Sequence, residues 1–281
     1  VRGFIDLYTI RKREQVTRMI GLTQLYFPLF EEMLSKYNMP LELKYLAIVE
    51  SALNPQAKSR AGAVGMWQFM YGTGKMYNLK VTSYVDERSD VYKSTQAACE
   101  FLTSLYDIFG DWQLALAAYN SGPGNVNKAI RRSGGKKDYW EILPWLPRET
   151  QGYVPAFIAV NYVMNNTAEH NLYACAPRKT SFEIDTVNVQ KPITFAQLSK
   201  VLNMSVDDIS YFNPCYKQDF IPSPFNGVPY TLCLPKEKTG NFIANEAAIY
   251  DYLKTDTAQN ATLASAQEVM KLHTVRSGEH I

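Results

Sequence analysis

A chain of 281 residues is too long for one small domain and long enough for a large core with a second module. Its 46% hydrophobic and 20% charged residues are those of a globular, soluble protein, and a net charge of +2 gives no electrostatic case for nucleic acid or a membrane surface. Four cysteines without ligand spacing and three histidines argue against a zinc site, so no metal and no cofactor are expected.

Residues 4–20 read as an amphipathic helix through Phe4, Leu7, Tyr8, Val16, Met19 and Ile20. A second helix is predicted over 25–37, and both are expected to brace the next one from outside. That next helix, 41–53, is entered through Pro40 and stopped by Asn54-Pro55. It is apolar on nearly every side, which marks a buried helix. Yet Glu50 lies within it, on the stripe of Leu46, Ala47 and Leu53. Burial disfavours the charged carboxylate and raises its pKa. A carboxylic acid still protonated near neutral pH is what a general acid needs. Taken alone, Glu50 fits a structural ion pair equally well.

The residues after Glu50 shift the balance. Ser51 sets a hydroxyl beside the carboxyl group. Gly62, Gly65, Gly72 and Gly74 are interleaved with Trp67, Gln68, Phe69 and Tyr71. Glycines let backbone approach a ligand, and aromatic faces with an amide suit a sugar ring.

Downstream, 65–77 contains a short helix. The charged run Asp86, Glu87, Arg88, Asp90 reads as an ion-pair network entering a long helix over 91–109, which Gly110 ends. Cys99 in that helix reads as a buried thiol. Asp111 caps an alanine-rich helix over 112–119, followed by the turn Asn120-Ser121-Gly122-Pro123-Gly124. Arg131, Arg132, Lys136 and Lys137 read as a solvated helix end. A last helix spans 148–165. Almost nothing up to residue 170 alternates with period two, so the first region is nearly all helix.

After Pro177 the texture changes. Residues 182–189 alternate like a strand. Thr194 and Ser205 cap two helices, and 230–234 is a closing strand. Strand, helix, helix, strand resembles the LysM module, here in degenerate form. Gln190-Lys191-Pro192 replaces the usual glycine-aspartate turn, and an insertion spans 220–228. Residues 237–272 read as a polar linker with one short helix near 245–253. The last nine residues, 273–281, resemble the opening of a further LysM repeat.

Four ordered motifs carry a second resemblance. They are Glu50-Ser51, Gly65-Met66-Trp67-Gln68-Phe69-Met70, Ala118-Tyr119-Asn120-Ser121-Gly122 and Glu149-Thr150-Gln151-Gly152-Tyr153-Val154-Pro155. Over about residues 1–170 the chain resembles the lytic transglycosylases of the soluble type, in the goose-lysozyme-like superfamily. The resemblance implies a mainly α, lysozyme-like catalytic domain over 1–178, followed by the small βααβ LysM-like module over 182–236. It implies cleavage of the β-1,4 bond after N-acetylmuramic acid in peptidoglycan, leaving 1,6-anhydro ends.

By the same resemblance Glu50 is the catalytic acid and base. Ser51 and Tyr153 orient Glu50 or the glycan, Gln68 and the backbone around Met66 hold the acetamido sugar, and Tyr119 and Asn120 line the cleft opposite. The partner is the peptidoglycan glycan strand, with no nucleic acid. No segment has the apolar length of a membrane span. The start at Val1 reads as a processed or trimmed chain. A monomer in the periplasm or cell envelope is expected, and a lipid anchor upstream with outer-membrane association is compatible with it. Two alternatives stand beside this reading. One is a goose-type lysozyme hydrolase using Asp86 or Asp90 to position water. The other is a non-catalytic cell-wall-binding protein.

Overall fold

The computed structural model describes residues 1–224 and 226–255. They form two compact units that divide between Glu183 and Ile184.

The first unit opens with α1 (Arg2–Asp6), a π-helical turn (Leu7–Arg11) and the long α2 (Arg13–Lys36). Sequence periodicity predicts two helices here, 4–20 and 25–37, and the break falls elsewhere. The π turn interrupts the first helix, and α2 then runs straight through Gly21 and Pro28. Gly21 is helical because of a neighbour that no local pattern reveals. A Cβ there would sit 1.7 Å from the carbonyl oxygen of Cys175, whose own N–H donates to the Thr17 carbonyl at 2.9 Å.

The expected helix over 41–53 is shorter and composite. A 3₁₀ turn (Leu41–Tyr45) leads into α3 (Leu46–Ser51). Asn54-Pro55 is not what stops it. Ala52 and Leu53 both adopt left-handed φ, 56° and 61°, and end the helix directly after Ser51. Left-handed backbone costs a non-glycine residue about 1–2 kcal/mol, so two in a row mark a position held by its surroundings.

The chain continues into a loop with paired segments at Lys58, Val64 and Phe69. Then come α4 (Tyr71–Met76), α5 (Val91–Phe109), α6 (Trp112–Ser121), α7 (Pro123–Arg132), α8 (Tyr139–Ile142), α9 (Arg148–Gln151) and α10 (Tyr153–Asn165). Asp90 and Asp111 cap α5 and α6 by accepting the backbone N–H of Lys93 and Leu114, both at 2.8 Å. Cys99 is buried in α5. Trp67 anchors the loop in the core: its indole N–H donates to Thr95 Oγ1 at 3.0 Å, and its ring meets Phe30 at 5.0 Å.

The second unit pairs β1 (Ile184–Val189) antiparallel with β4 (Tyr230–Pro235), Val187 opposite Leu232. Between them lie β2 (Ile193–Thr194), α11 (Phe195–Leu202), α12 (Val206–Phe212) and β3 (Phe220–Ile221), with β2 pairing β3. Thr194 and Gln197 form a reciprocal capping box on α11. Asn213, after α12, ties the unit together. Its amide donates to the Ile209 and Cys233 carbonyls and accepts the Cys233 N–H at 2.8 Å.

One expectation is corrected here. Residues 236–255 are not linker but a continuous helix, α13 (Lys236–Thr255), packed on β1, β4 and α11. Phe242, Ile249 and Tyr250 are buried at i, i+7 and i+8, the spacing of one helical face. The Tyr250 hydroxyl accepts the Gln190 N–H at 3.0 Å, so α13 holds the turn after β1. The polar composition of 237–250 hides a narrow apolar stripe that only a neighbouring sheet makes useful. The rest of the expected linker, 256–272, and the segment 273–281 lie outside the described residues. Phe242→Ala is expected to destabilise this unit by about 3–5 kcal/mol, the usual cost of emptying a phenylalanine site. Denaturant unfolding of the variant checks this; a change under about 1 kcal/mol would mean α13 is dispensable.

Candidate active site

Glu50 occupies the last turn of α3. The left-handed pair after it turns the chain away, so the carboxyl group is not covered by a further helical turn. Beside it opens a groove of about 380 Å³, lined by Glu50, Ser51, Lys58 and Gln68 together with Tyr8 and Lys12 from the N-terminal helices.

The carboxyl group is held in an acid-favouring environment. Burial pushes its pKa from 4.5 up to about 7; the Tyr153 hydroxyl opposes the shift by donating to Oε1, and the negative charge of Glu149 adds to it. At neutral pH the group is therefore divided between acid and carboxylate. Tyr153 itself stays a phenol, because burial and the neighbouring Glu50 charge push its pKa well above 10.

The loop over 57–69 forms the wall beside Glu50, and three features set its shape. Gly65 has φ +89°, and a Cβ there would lie 1.8 Å from the Arg88 carbonyl oxygen. Gln68 also has positive φ, and its amide donates to the Gly65 carbonyl at 2.8 Å. Arg88 then clamps the loop from beneath. Its guanidinium donates to both Asp86 oxygens, at 2.9 and 2.8 Å, and to the Gly62 and Phe69 carbonyls. Glu87 binds Lys93 Nζ at 2.6 Å and accepts the Lys80 N–H at 2.7 Å. The charged run is the network the sequence predicts, and the structure adds its purpose: it braces the groove wall.

Neither acid that the hydrolase alternative would use lines the groove. Asp86 is committed to Arg88, and Asp90 caps α5.

The other predicted site residues divide by layer. The Ser51 hydroxyl sits 2.9 Å from the Met66 carbonyl and 3.1 Å from the Ala47 carbonyl, so it staples α3 to the loop. The Met66 side chain is buried, and only its backbone takes part. Tyr119 lies behind the wall. Its hydroxyl donates to the Trp67 carbonyl at 2.7 Å, and it is near enough to Glu50 for that charge to add to the effect of burial in raising its pKa. Asn120 Oδ1 accepts from the Thr150 hydroxyl at 2.9 Å, linking α6 to α9. Neither Tyr119 nor Asn120 is among the residues lining this groove of about 380 Å³.

Sequence reasoning misses the opposite wall. Periodicity assigns Tyr8, Lys12 and Gln15 only to a helix bracing Glu50 from outside. No motif marks them, because nothing local says that this face of the helix borders the groove.

Tyr153→Phe removes the one side-chain donor to Glu50 among the described residues. The hydroxyl favours the carboxylate, so its loss is expected to move the Glu50 pKa above 7, with turnover down about tenfold as the acid loses its orientation. A pH–rate profile with an unmoved alkaline limb would contradict this.

Residues 28–142 match the family described as Transglycosylase SLT domain, and residues 183–251 match Lytic transglycosylase MltD, LysM-like domain. The second match takes in most of α13, in keeping with its packing. Membrane-bound lytic murein transglycosylase D of Escherichia coli (strain K12) is 36% identical over 250 residues, covering 87% of this chain and 53% of that protein. The soluble lytic murein transglycosylase of the same strain is 32% identical over 145 residues, 47% of this chain and 22% of that one. Among solved structures, the 70 kDa soluble lytic transglycosylase of Escherichia coli aligns with 53% of this chain and 26% of its own, at 30% identity and a TM-score of 0.44. The chain spans about half the length of the membrane-bound relative. With both of its units matched, the chain carries an SLT transglycosylase domain followed by an MltD-type LysM-like domain.

Proposed function

We propose that this chain is a peptidoglycan lytic transglycosylase in which Glu50 is both general acid and general base. The observation that carries the reading is a single buried carboxyl group, poised near neutral pH, opening on a groove. Most glycosidases flank the scissile bond with two carboxylates. Among the residues lining this groove Glu50 is the one acid, which fits a reaction that needs one.

The Glu50 acid gives its proton to the glycosidic oxygen after N-acetylmuramic acid, and the C1–O4 bond breaks. The sugar's own acetamido oxygen shares the positive charge left on C1. The Glu50 carboxylate then takes the proton of the 6-hydroxyl as O6 bonds to C1. The acid is restored, a 1,6-anhydro ring closes, and no water is consumed. Tyr153 holds the carboxyl group in place through both states. Gln68, with its amide N–H groups turned to the loop, offers its carbonyl oxygen to the acetamido N–H. Ser51, Met66, Tyr119 and Asn120 keep the wall in register.

Location accords with the substrate. The protein acts as a monomer in the cell envelope on glycan strands, and a lipid anchor holding it at the outer membrane accords with its membrane-bound relative. Among the described residues no helix is long and apolar enough to cross a membrane. Mass analysis of digested sacculi tests the reaction. Anhydro ends are expected, and reducing ends would make the protein a hydrolase.

A further inference from the structure

We propose that the N-terminal wall of the groove is a recognition site for peptide-stem carboxylates, so that Tyr8, Lys12, Gln15 and Lys58 set a preference for stem-bearing over stripped glycan strands. The inference rests on the proposed action on peptidoglycan.

The first support is the backbone. The Lys12 N–H donates to the Leu7 carbonyl at 2.8 Å, an i to i+5 bond that widens the helix by one residue. π turns are uncommon and concentrate at functional sites. Here Tyr8 lies in the turn, Lys12 directly after it and Gln15 one turn on, at i, i+4 and i+7, and all three line the groove. Lys58 enters from the loop after α3.

The second support is the state of these side chains. None of the four has a hydrogen-bond or ion-pair partner for its polar end among the described residues. Two cations nearby are engaged instead: Arg13 donates to the Thr9 and Asn171 carbonyls, and Lys44 pairs with Glu31 at 2.5 Å. A half-buried phenol, an exposed amide and two exposed ammonium groups thus border one space.

The third support is charge. The one acidic residue lining the groove is Glu50, which spends much of its time neutral. Two ammonium groups therefore face a groove whose one acid carries at most a partial charge near neutral pH. The repeating sugars of a glycan strand are neutral. The anionic groups are the carboxylates of the peptide carried on the lactyl ether of each muramic residue. Lysine is a mobile point charge and suits carboxylates on a flexible peptide, where the rigid fork of arginine would demand one geometry. Tyr8, Lys12 and Gln15 also lie upstream of the matched SLT region, which begins at residue 28. Lys58 lies within it.

The test compares two substrates: glycan strands bearing intact stems, and the same strands stripped by an amidase, with the lactyl carboxylates this frees capped as methylamides so that the stripped strand is uncharged. The parent protein is expected to show a lower KM on stem-bearing strands. In the Lys12→Gln, Lys58→Gln double variant the ratio of the two KM values should fall about fivefold toward one, the scale of two exposed ion pairs. Lys12→Glu, Lys58→Glu should invert the preference, and Arg at both positions should retain part of it. Equal loss on both substrates, or no preference in the parent protein, would overturn the proposal. Binding of both strands to Glu50→Gln protein reads the same ratio without turnover. Tight binding of stem-bearing strands without cleavage by the parent would therefore sink the catalytic reading and leave this one standing.

Discussion

Replacing Glu50 by Gln is expected to lower glycan cleavage by about 10³-fold or more, the scale of losing a general acid and base at one site, while glycan binding is retained. The same substitution is expected to stabilise the protein, in a pH-dependent way. Burial raises the folded-state pKa from 4.5 to about 7, and the unfolded chain keeps the ordinary value. Between those values the folded protein binds more protons than the unfolded one, so stability falls as pH rises through the window. The penalty is absent below about pH 4.5 and complete above about pH 7, where it is on the order of 3 kcal/mol. Glutamine keeps an acceptor for the Tyr153 hydroxyl and cannot ionise. The stability gain of the variant over the parent should therefore be larger at pH 8 than at pH 5 by about 2–3 kcal/mol. Denaturant unfolding at the two pH values measures it. An equal gain at both would mean that the carboxyl group titrates normally.

Gly65→Ala is expected to cost about 4 kcal/mol or more and to abolish cleavage in what remains folded. Two effects coincide. The backbone is left-handed at φ +89°, and the new methyl would meet the Arg88 carbonyl at 1.8 Å. Arg88 cannot retreat, since its guanidinium is held by Asp86 and by two carbonyls of the same loop. The loop would have to move instead, taking with it Gln68 and the Met66 carbonyl that anchors Ser51. Gly62→Ala is the control. Its φ is +88°, yet nothing lies within 4 Å of the added carbon. It should cost only the backbone term, about 1–2 kcal/mol. Unfolding midpoints of the two variants separate contact from conformation. Equal losses would show that Arg88 is not the obstacle.

The contrast between these residues also marks what the sequence discloses. Glu50 is legible because a carboxylate within an apolar helix breaks the local pattern, and a broken pattern asks for a function. The capped helices are legible because their signals are local: Asp90, Asp111, Thr194 and Ser205 each bond within three residues of themselves. The end of α3 is not. Asn54-Pro55 is a sound stop signal, but the chain has already turned at Ala52 and Leu53, two residues with no intrinsic taste for positive φ. Tertiary contacts impose that turn, with Leu53 fully buried and the Ser51 hydroxyl tied to Met66. The groove's N-terminal wall is hidden for a related reason. Apolar spacing across 4–20 marks the buried side of a helix, and nothing in it says that Tyr8, Lys12 and Gln15 border a groove formed by residues some forty positions on. α13 is hidden by averages: three apolar residues on one face, Phe242, Ile249 and Tyr250, are diluted by polar neighbours. In each case the missing information is the identity of a neighbour distant in sequence.

Carbon-13 NMR titration of the Glu50 carboxyl group in the folded, substrate-free protein tests the central claim most directly. A midpoint near 7, moving upward in Tyr153→Phe, is the predicted result. A midpoint at the ordinary value of 4.5 would mean the group is already a carboxylate at neutral pH, with no proton to deliver to a glycosidic oxygen.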